Sequence, residues 1–507
     1  MLFNSPEFIF LFLPVTLITF FALGKLKFYR GAIVTLTSAS LFFYGWWNPP
    51  YLGLLLFSIG FNYCLGSLLS KRVSHPISRK LLLWSGVGVN LLLIGYFKYA
   101  NFFLDTVNQF FQTQWNLNQV ILPLAISFFT FQQIAYLVDA YRGETKEYHF
   151  LDYCLFVSFF PQLIAGPIVH HQEIMPQFRE KETYQVSAQN LAIGLTIFTL
   201  GLAKKIFLAD TFATYATPVF TAADGGELLT FYEAWCAAIA YSLQLYFDFS
   251  GYSEMAIGVA RMFGIKLPLN FNSPYKSISI THFWRRWHIT LSNFLRDYIY
   301  IVLGGNRKGE LRKNMNLMTT MLLGGLWHGA GWTFVFWGGL HGFYLIVNNQ
   351  WVSLQKRFNI TVNNSAIVTQ FLGCSITFFF VAIGWVFFRA ESMAGAISIL
   401  KAMFGSDGFI LSAPHIRSDK LMPAMLAVGL CIVWFAPNVQ EWIGKYQAAS
   451  NVPQLKEKQK APVTHHLWKR LQWQPNLFWS AAIGITIFLV SKTFLTAQSS
   501  EFLYFNF

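Results

Sequence analysis

NLMTTMLLGGLWHGAGWTFVFWGGLHG, residues 316–342, is apolar enough to lie in lipid and yet holds two histidines, His328 and His341. A spanning helix takes roughly 20 mostly apolar residues, and the apolar run around this stretch extends over 316–347. Hydrocarbon offers no water to solvate an imidazolium. A histidine at that depth is therefore neutral or paired, and marks a functional position by default. Gly325 and Gly329 form a GxxxG spacing, as do Gly338 and Gly342, which lets helix backbones approach closely. Such a narrow place lets a ligand or a second helix touch His328. His341 lies thirteen residues further on; in a straight helix that is about 20 Å along the axis and some 220° around it. It shares no site with His328 unless the glycines break the helix.

The rest of the chain agrees with a membrane setting. Of its 507 residues, 54% are hydrophobic and 12% charged, where a soluble protein carries about 25% charged residues. Long apolar runs lie near 8–23, 31–47, 51–69, 81–104, 119–140, 187–203, 229–247, 316–347, 366–388, 421–438 and 477–495. A shorter run at 151–168 contains Pro161 and the pair Gly166–Pro167; it is too short to span before Pro161 and predicts a re-entrant or broken helix. The fold expected is an all-α polytopic membrane protein with about eleven transmembrane helices plus re-entrant and interfacial ones, as one domain over 1–507.

The net charge of +14 sits in short turns between apolar runs: Lys25, Lys27 and Arg30; Lys71, Arg72, Arg79 and Lys80; Arg307, Lys308, Arg312 and Lys313. That placement is the positive-inside pattern of a chain beside an anionic leaflet, and it argues against nucleic acid as a partner. The basic turns 24–30 and 70–80, with the late basic segment 441–474, are expected in the cytoplasm, and both the N-terminus and the C-terminal EFLYFNF outside. The N-terminal MLFNSPEFIFLFLPVTLITFFAL has no basic n-region and reads as a retained first span. Cys64, Cys154, Cys236, Cys374 and Cys431 are scattered without metal-ligand spacing and read as small apolar fillers, so no metal is expected.

Other polar residues stand at membrane depth. In YSLQLYFDFSGYSEMAIGVARMFG, 241–264, Gln244, Asp248 and Tyr252 share one helical face, with Glu254 and Arg261 nearby. Carboxylates there face protein or a water-filled cavity; an internal hydrogen-bonded knot and a cavity lining both satisfy that. The stretch 270–307 mixes Trp284, Trp287, Tyr298 and Tyr300 with Arg285, Arg286 and Arg296, which suits an interfacial helix. Anchoring does not account for His288, between Trp287 and Ile289. In 122–143, Asp139 near Arg142 reads as an interfacial pair, and Gln132 and Gln133 either line a cavity or cross-link helices.

FWRRWHITLSNFLRDYIYIVLGGNR (283–307) followed by the 316–342 stretch resembles the membrane-bound O-acyltransferase family. The likeness is greatest to its bacterial alginate O-acetylation branch and more distant to the D-alanyl transfer protein of teichoic acid. It extends through FFPQLIAGPI (159–168), YFDFSGYSEMAIGVARMFGI (246–265), LPLAISFFTFQQIAYLVDAYRG (122–143) and FNSPEFIFLFLP near the N-terminus, covering most of residues 1–390; residues 391–507 are left as C-terminal helices.

The resemblance implies helices around a central tunnel, with His328 as the catalytic residue and His288 as its partner. Gln244, Asp248, Tyr252, Asn272, Arg285 and Trp327 are the further candidates for lining the tunnel. Relatives carry an acidic residue before the FW pair where this chain has His282. The implied donor is an acyl thioester such as acetyl-CoA, with no tightly bound cofactor. The implied acceptor is an exported polysaccharide, reached through an extracytoplasmic SGNH-hydrolase-like partner at the bacterial inner membrane. Two other classes compete: a transporter using Asp248, Glu254 and His328 as a path, and a non-catalytic scaffold. A transporter predicts inverted repeats, and the sequence shows none.

Overall fold

The computed structural model describes residues 1–507 except 47, 71–75, 118–119, 146–148, 361–365, 407, 417–419, 451–470, 497–500 and 504–507. The described residues form helices and connecting turns without a strand. Among the described residues, five helical stretches are by themselves long and apolar enough to cross a bilayer: Phe8–Lys25, Pro49–Ser70, Ser78–Phe111, Ala188–Asp224 and Ile367–Arg389. The other expected runs fold as Tyr29–Gly45, Ile126–Arg142, Phe231–Met262, Met422–Phe435 and Leu477–Thr496. Ile126–Arg142 and Phe231–Met262 are richer in polar residues because they face protein rather than lipid, and Phe231–Met262 is buried along nearly its whole length. Most of the late basic segment, including Lys456, Lys458, Lys460, Lys469 and Arg470, lies outside the described residues.

Two of the helices that run further than their apolar runs matter for the packing. The run at 187–203 continues through a π-turn, Lys204–Ala209, into the helix Asp210–Asp224. The run at 229–247 continues to Met262 because its polar residues are paired inside the bundle. Lys205 Nζ lies 2.7 Å from Asp248 Oδ1 and 2.9 Å from Asp210 Oδ1, and Lys204 pairs with Glu254. The Leu503 amide donates to Asp248 Oδ2 at 3.1 Å. Tyr252 stacks on Phe3 at 4.9 Å and meets the edge of Phe502 at 4.7 Å between ring centroids. Asp248 and Tyr252 thus belong to a knot that gathers residues from both ends of the described chain.

The segment 151–168 is broken, as its prolines predict. Phe150–Ser158 stops at Phe159, a short turn Phe160–Leu163 follows, and residues 153–169 are all buried. Gln133 proves to be a cross-link: it donates to Ser58 Oγ at 2.8 Å and accepts from the Tyr153 hydroxyl at 3.1 Å. The interfacial pair expected for Asp139 is corrected. Asp139 accepts from the Tyr298 hydroxyl at 2.9 Å, while Arg142 lies over the Tyr298 ring at 5.7 Å.

The run 316–347 is two helices, Gly309–His328 and Trp332–Arg357, hinged at Gly329–Gly331. They form a tight antiparallel pair. A Cβ on Gly325 would collide with the Phe334 carbonyl oxygen, and one on Gly338 with that of Met321. The straight-helix separation of His328 from His341 therefore does not apply: both rings pack on Trp337, at 5.1 and 5.0 Å between centroids.

Removing one partner of a buried ion pair strands the other, at a cost of about 3–5 kcal/mol. Lys205→Met should lower thermal stability in detergent by an amount of that order, and Lys205→Met with Asp248→Leu should recover much of the loss.

Candidate active site

His328 is the last residue of its helix, and Gly329 leaves in extended backbone (φ −157°, ψ 150°). The end of a buried helix leaves carbonyls without intrahelical partners, which need donors from elsewhere. Here the donors are two adjacent residues of a π-turn, Gly95–Tyr99. Lys98 Nζ donates to the Trp327 carbonyl at 2.5 Å, the His328 carbonyl at 3.2 Å and Ser127 Oγ at 3.3 Å. The Tyr99 hydroxyl donates to the Leu326 carbonyl at 2.6 Å. A cation at a helix C-terminus also complements the helix dipole.

The His328 ring meets Trp327, Trp337 and Phe388 edge to face, at 4.9, 5.1 and 5.2 Å between centroids. Its neighbour on a fourth side is His288, at 6.3 Å. The fold thus brings together two histidines forty residues apart in sequence. The pair is closed to water in this structure, with His328 3% and His288 0% exposed.

His288 caps the helix Ile289–Leu295 in the left-handed region, with φ 42°. A non-glycine residue there is strained, and such strain clusters at functional sites. What holds it is Asn270. Its Oδ1 accepts from the Thr290 amide at 3.4 Å and the Thr290 hydroxyl at 3.0 Å, and lies 3.1 Å from His288 Nδ1. The Asn270 carbonyl also accepts from the Ile289 amide at 2.9 Å. Because the Thr290 amide can only donate, that oxygen is an acceptor, and the proton of a neutral His288 belongs on Nδ1. The Phe249 ring closes the other side at 4.8 Å.

The family model of the membrane-bound O-acyltransferases matches residues 138–388, which include both histidines and Asn270. The peptidoglycan O-acetyltransferase of Helicobacter pylori is 47% identical, covering 81% of each chain. The chain belongs to the membrane-bound O-acyltransferase family. It is an enzyme, an acyltransferase with multiple spans. The "Probable alginate O-acetylase" of Pseudomonas putida is 38% identical over the full length of both chains, so the likeness extends through residues 391–507, where the motifs carried none. The teichoic acid D-alanyltransferase of Streptococcus thermophilus is more distant, at 29% over 52% of this chain and 68% of its own.

Within this acyltransferase the remaining candidates scatter. Trp327 lies in the site, against both histidines, at 4.9 Å from His328 and 6.0 Å from His288. Asp248 and Tyr252 face the knot on the long helix, and buried Gln244 has no bond to its side-chain oxygen among the described residues. Arg285 is exposed. Asn272 ties the loop to Asn438, which donates to its Oδ1 at 2.9 Å. His282 accepts from Arg286 Nε at 2.9 Å. His341 is fully buried among Phe283, Trp284, Trp337 and Trp385.

Among the residues of the site that sequence reasoning passed over are Lys98 and Asn270, besides the rings of Tyr99, Phe249, Trp337 and Phe388. Lys98 had a signal, a lone cation inside the apolar run 81–104. Asn270, two positions before the residue chosen, had none.

One hydrogen bond contributes about 1 kcal/mol, and an unsatisfied buried partner costs about 1–3 kcal/mol. Lys98→Met should therefore lower stability by about 1–3 kcal/mol and reduce acyl transfer, with Lys98→Arg intermediate. Asn270→Leu should slow transfer about tenfold and also lower stability by about 1–3 kcal/mol, since it strands the Thr290 amide and hydroxyl; both variants are read by activity and unfolding of the same preparations.

Proposed function

We propose that this enzyme takes an acetyl group from a cytoplasmic thioester, acetyl-CoA, and passes it across the membrane for O-acetylation of an exported polysaccharide. The observation that carries this reading is the buried pair of imidazoles with ring centroids 6.3 Å apart, in a chain whose full-length relative bears the name of an alginate O-acetylase. A peptidoglycan or an alginate-like glycan fits the names of its relatives.

His328 is the general base. Its neutral ring takes the proton of an acceptor hydroxyl as the oxygen attacks the thioester carbon; the C–S bond then breaks and the proton passes to the departing thiolate. His288 keeps its lone pair on Nε2, given the proton on Nδ1, so it accepts from a hydroxyl or an N–H beside His328. The negative charge that develops on the thioester oxygen needs donors. The indole N–H groups of Trp327 and Trp337 flank His328, are buried, and have no acceptor among the described residues. Lys98 and Tyr99 position His328 by holding its helix end. Donor and acceptor reach the pair only when the surrounding rings part, opening the tunnel that the resemblance implies.

The immediate acceptor is a hydroxyl of an extracytoplasmic SGNH-hydrolase-like partner, which hands the acetyl group to the glycan. The transporter alternative loses its support, since Asp248 and Glu254 are each engaged with a lysine.

In vesicles loaded with labelled acetyl-CoA, His328→Ala should reduce acetyl transfer to external acceptor by roughly 10²–10⁴-fold. An unchanged rate would end the catalytic reading. Envelope glycans from cells lacking the gene should lose an acetyl-sized mass.

A further inference from the structure

A cavity of about 890 Å³ opens far from the histidines in the chain, between the helix Leu13–Lys25 and the helix Ala188–Ala203. Its walls are apolar side chains of both helices, among them Leu13, Leu17 and Phe21 on one and Leu191 and Leu195 on the other; Phe198 and Met262 are buried in its lining. One end is different. Lys25, Lys27 and Lys181 line it there, with Tyr29 and Gln185.

These three lysines are exposed, and none forms an ion pair among the described residues. The neighbouring Arg30 is engaged with Asp152 at 3.6 Å. Glu180 and Glu182 flank Lys181 in sequence but are not part of the lining. Lys25 and Lys27 at the basic end belong to the 24–30 turn, which the charge pattern assigns to the cytoplasmic face.

The two ends ask for two kinds of chemistry in one molecule. From Lys25 to Ile9 the lining follows its helix for about 24 Å, more than the roughly 15 Å of one leaflet's hydrocarbon. An occupant therefore needs a long apolar body and a negatively charged head at the membrane surface. A neutral lipid would satisfy the walls and leave three ammonium groups unanswered. Basic pockets between spans on the cytoplasmic side select acidic headgroups.

We propose that this groove is a binding site for an anionic phospholipid, its phosphate held by Lys25, Lys27 and Lys181 and an acyl chain laid between the two helices. The site is separate from the reaction centre, and the proposal stands whichever acceptor the enzyme uses.

Native mass spectrometry of the full-length protein, released from detergent in equal amounts of phosphatidylglycerol and phosphatidylcholine, tests it. The wild type should retain phosphatidylglycerol preferentially. Each lysine contributes about fivefold to the affinity for acidic lipid, so Lys25→Gln, Lys27→Gln and Lys181→Gln together should abolish the preference. Leu195→Trp, which fills the groove and leaves the lysines in place, should reduce retention of phosphatidylglycerol. A control that removes the same charge elsewhere, Lys308→Gln with Arg312→Gln and Lys313→Gln, should keep the preference. Equal retention of the two lipids by the wild type would overturn the proposal, as would loss of the preference in the control but not in the groove variants. Displacement of phosphatidylglycerol by acetyl-CoA would overturn it too, because the lysines would then belong to a nucleotide thioester. Unfolding temperatures of the variants, expected to match the wild type, separate lost binding from lost fold.

Discussion

A helix that ends inside a membrane protein presents carbonyl oxygens where no water can reach them. The reaction centre proposed for this acyltransferase is built on such an end, because His328 is the residue at which its helix stops. Lys98 and Tyr99 answer three of those carbonyls. Without them the cheapest remedy would be to continue the helix, and His328 would then lie on an unbroken cylinder instead of at a corner. The cap and the glycine hinge after it are thus one device.

Packing around the corner is aromatic, and the choice has a physical basis. Trp327, Trp337 and Phe388 enclose His328 with ring edges and faces, excluding water without supplying a charge. Such surroundings shield the ring from water, as the proposed proton acceptor requires. The glycines serve the same end by letting the return helix Trp332–Arg357 come close enough for Trp337 to reach the ring.

Much of this was legible before any coordinates. An apolar stretch with histidines among clustered glycines stands out as a candidate, because lipid allows few reasons for an imidazole. The helices were legible too, since lipid-facing segments are written in long apolar runs. What the sequence concealed were partnerships over distance. Lys98 lies 230 residues from the carbonyl it caps, and Asn270 could not be told from Asn272 without the turn that aims it at His288. Asp248 looked as much like a cavity residue as a knot residue until Lys205, on another helix, was placed beside it. Helix lengths were misjudged where polar residues are paired internally, as in Phe231–Met262, because hydropathy counts a satisfied carboxylate as though it were bare. The break at Gly329–Gly331 was foreseen only as a condition, and it reverses the geometry inferred for His341.

The clasp at Tyr252 bears on how the protein is made. Phe3 lies on one side of that ring and Phe502 on another, while the Leu503 amide completes the shell of Asp248. Insertion into the bilayer proceeds from the amino end as the ribosome delivers the chain, so this carboxylate waits through some 255 further residues for its last donor. Until then Lys205, shared with Asp210, holds it incompletely, and the nascent bundle carries an unfinished seam. Quality control that samples half-made membrane proteins would meet that seam exposed, and closure by residues 501–503 would be the event that withdraws it.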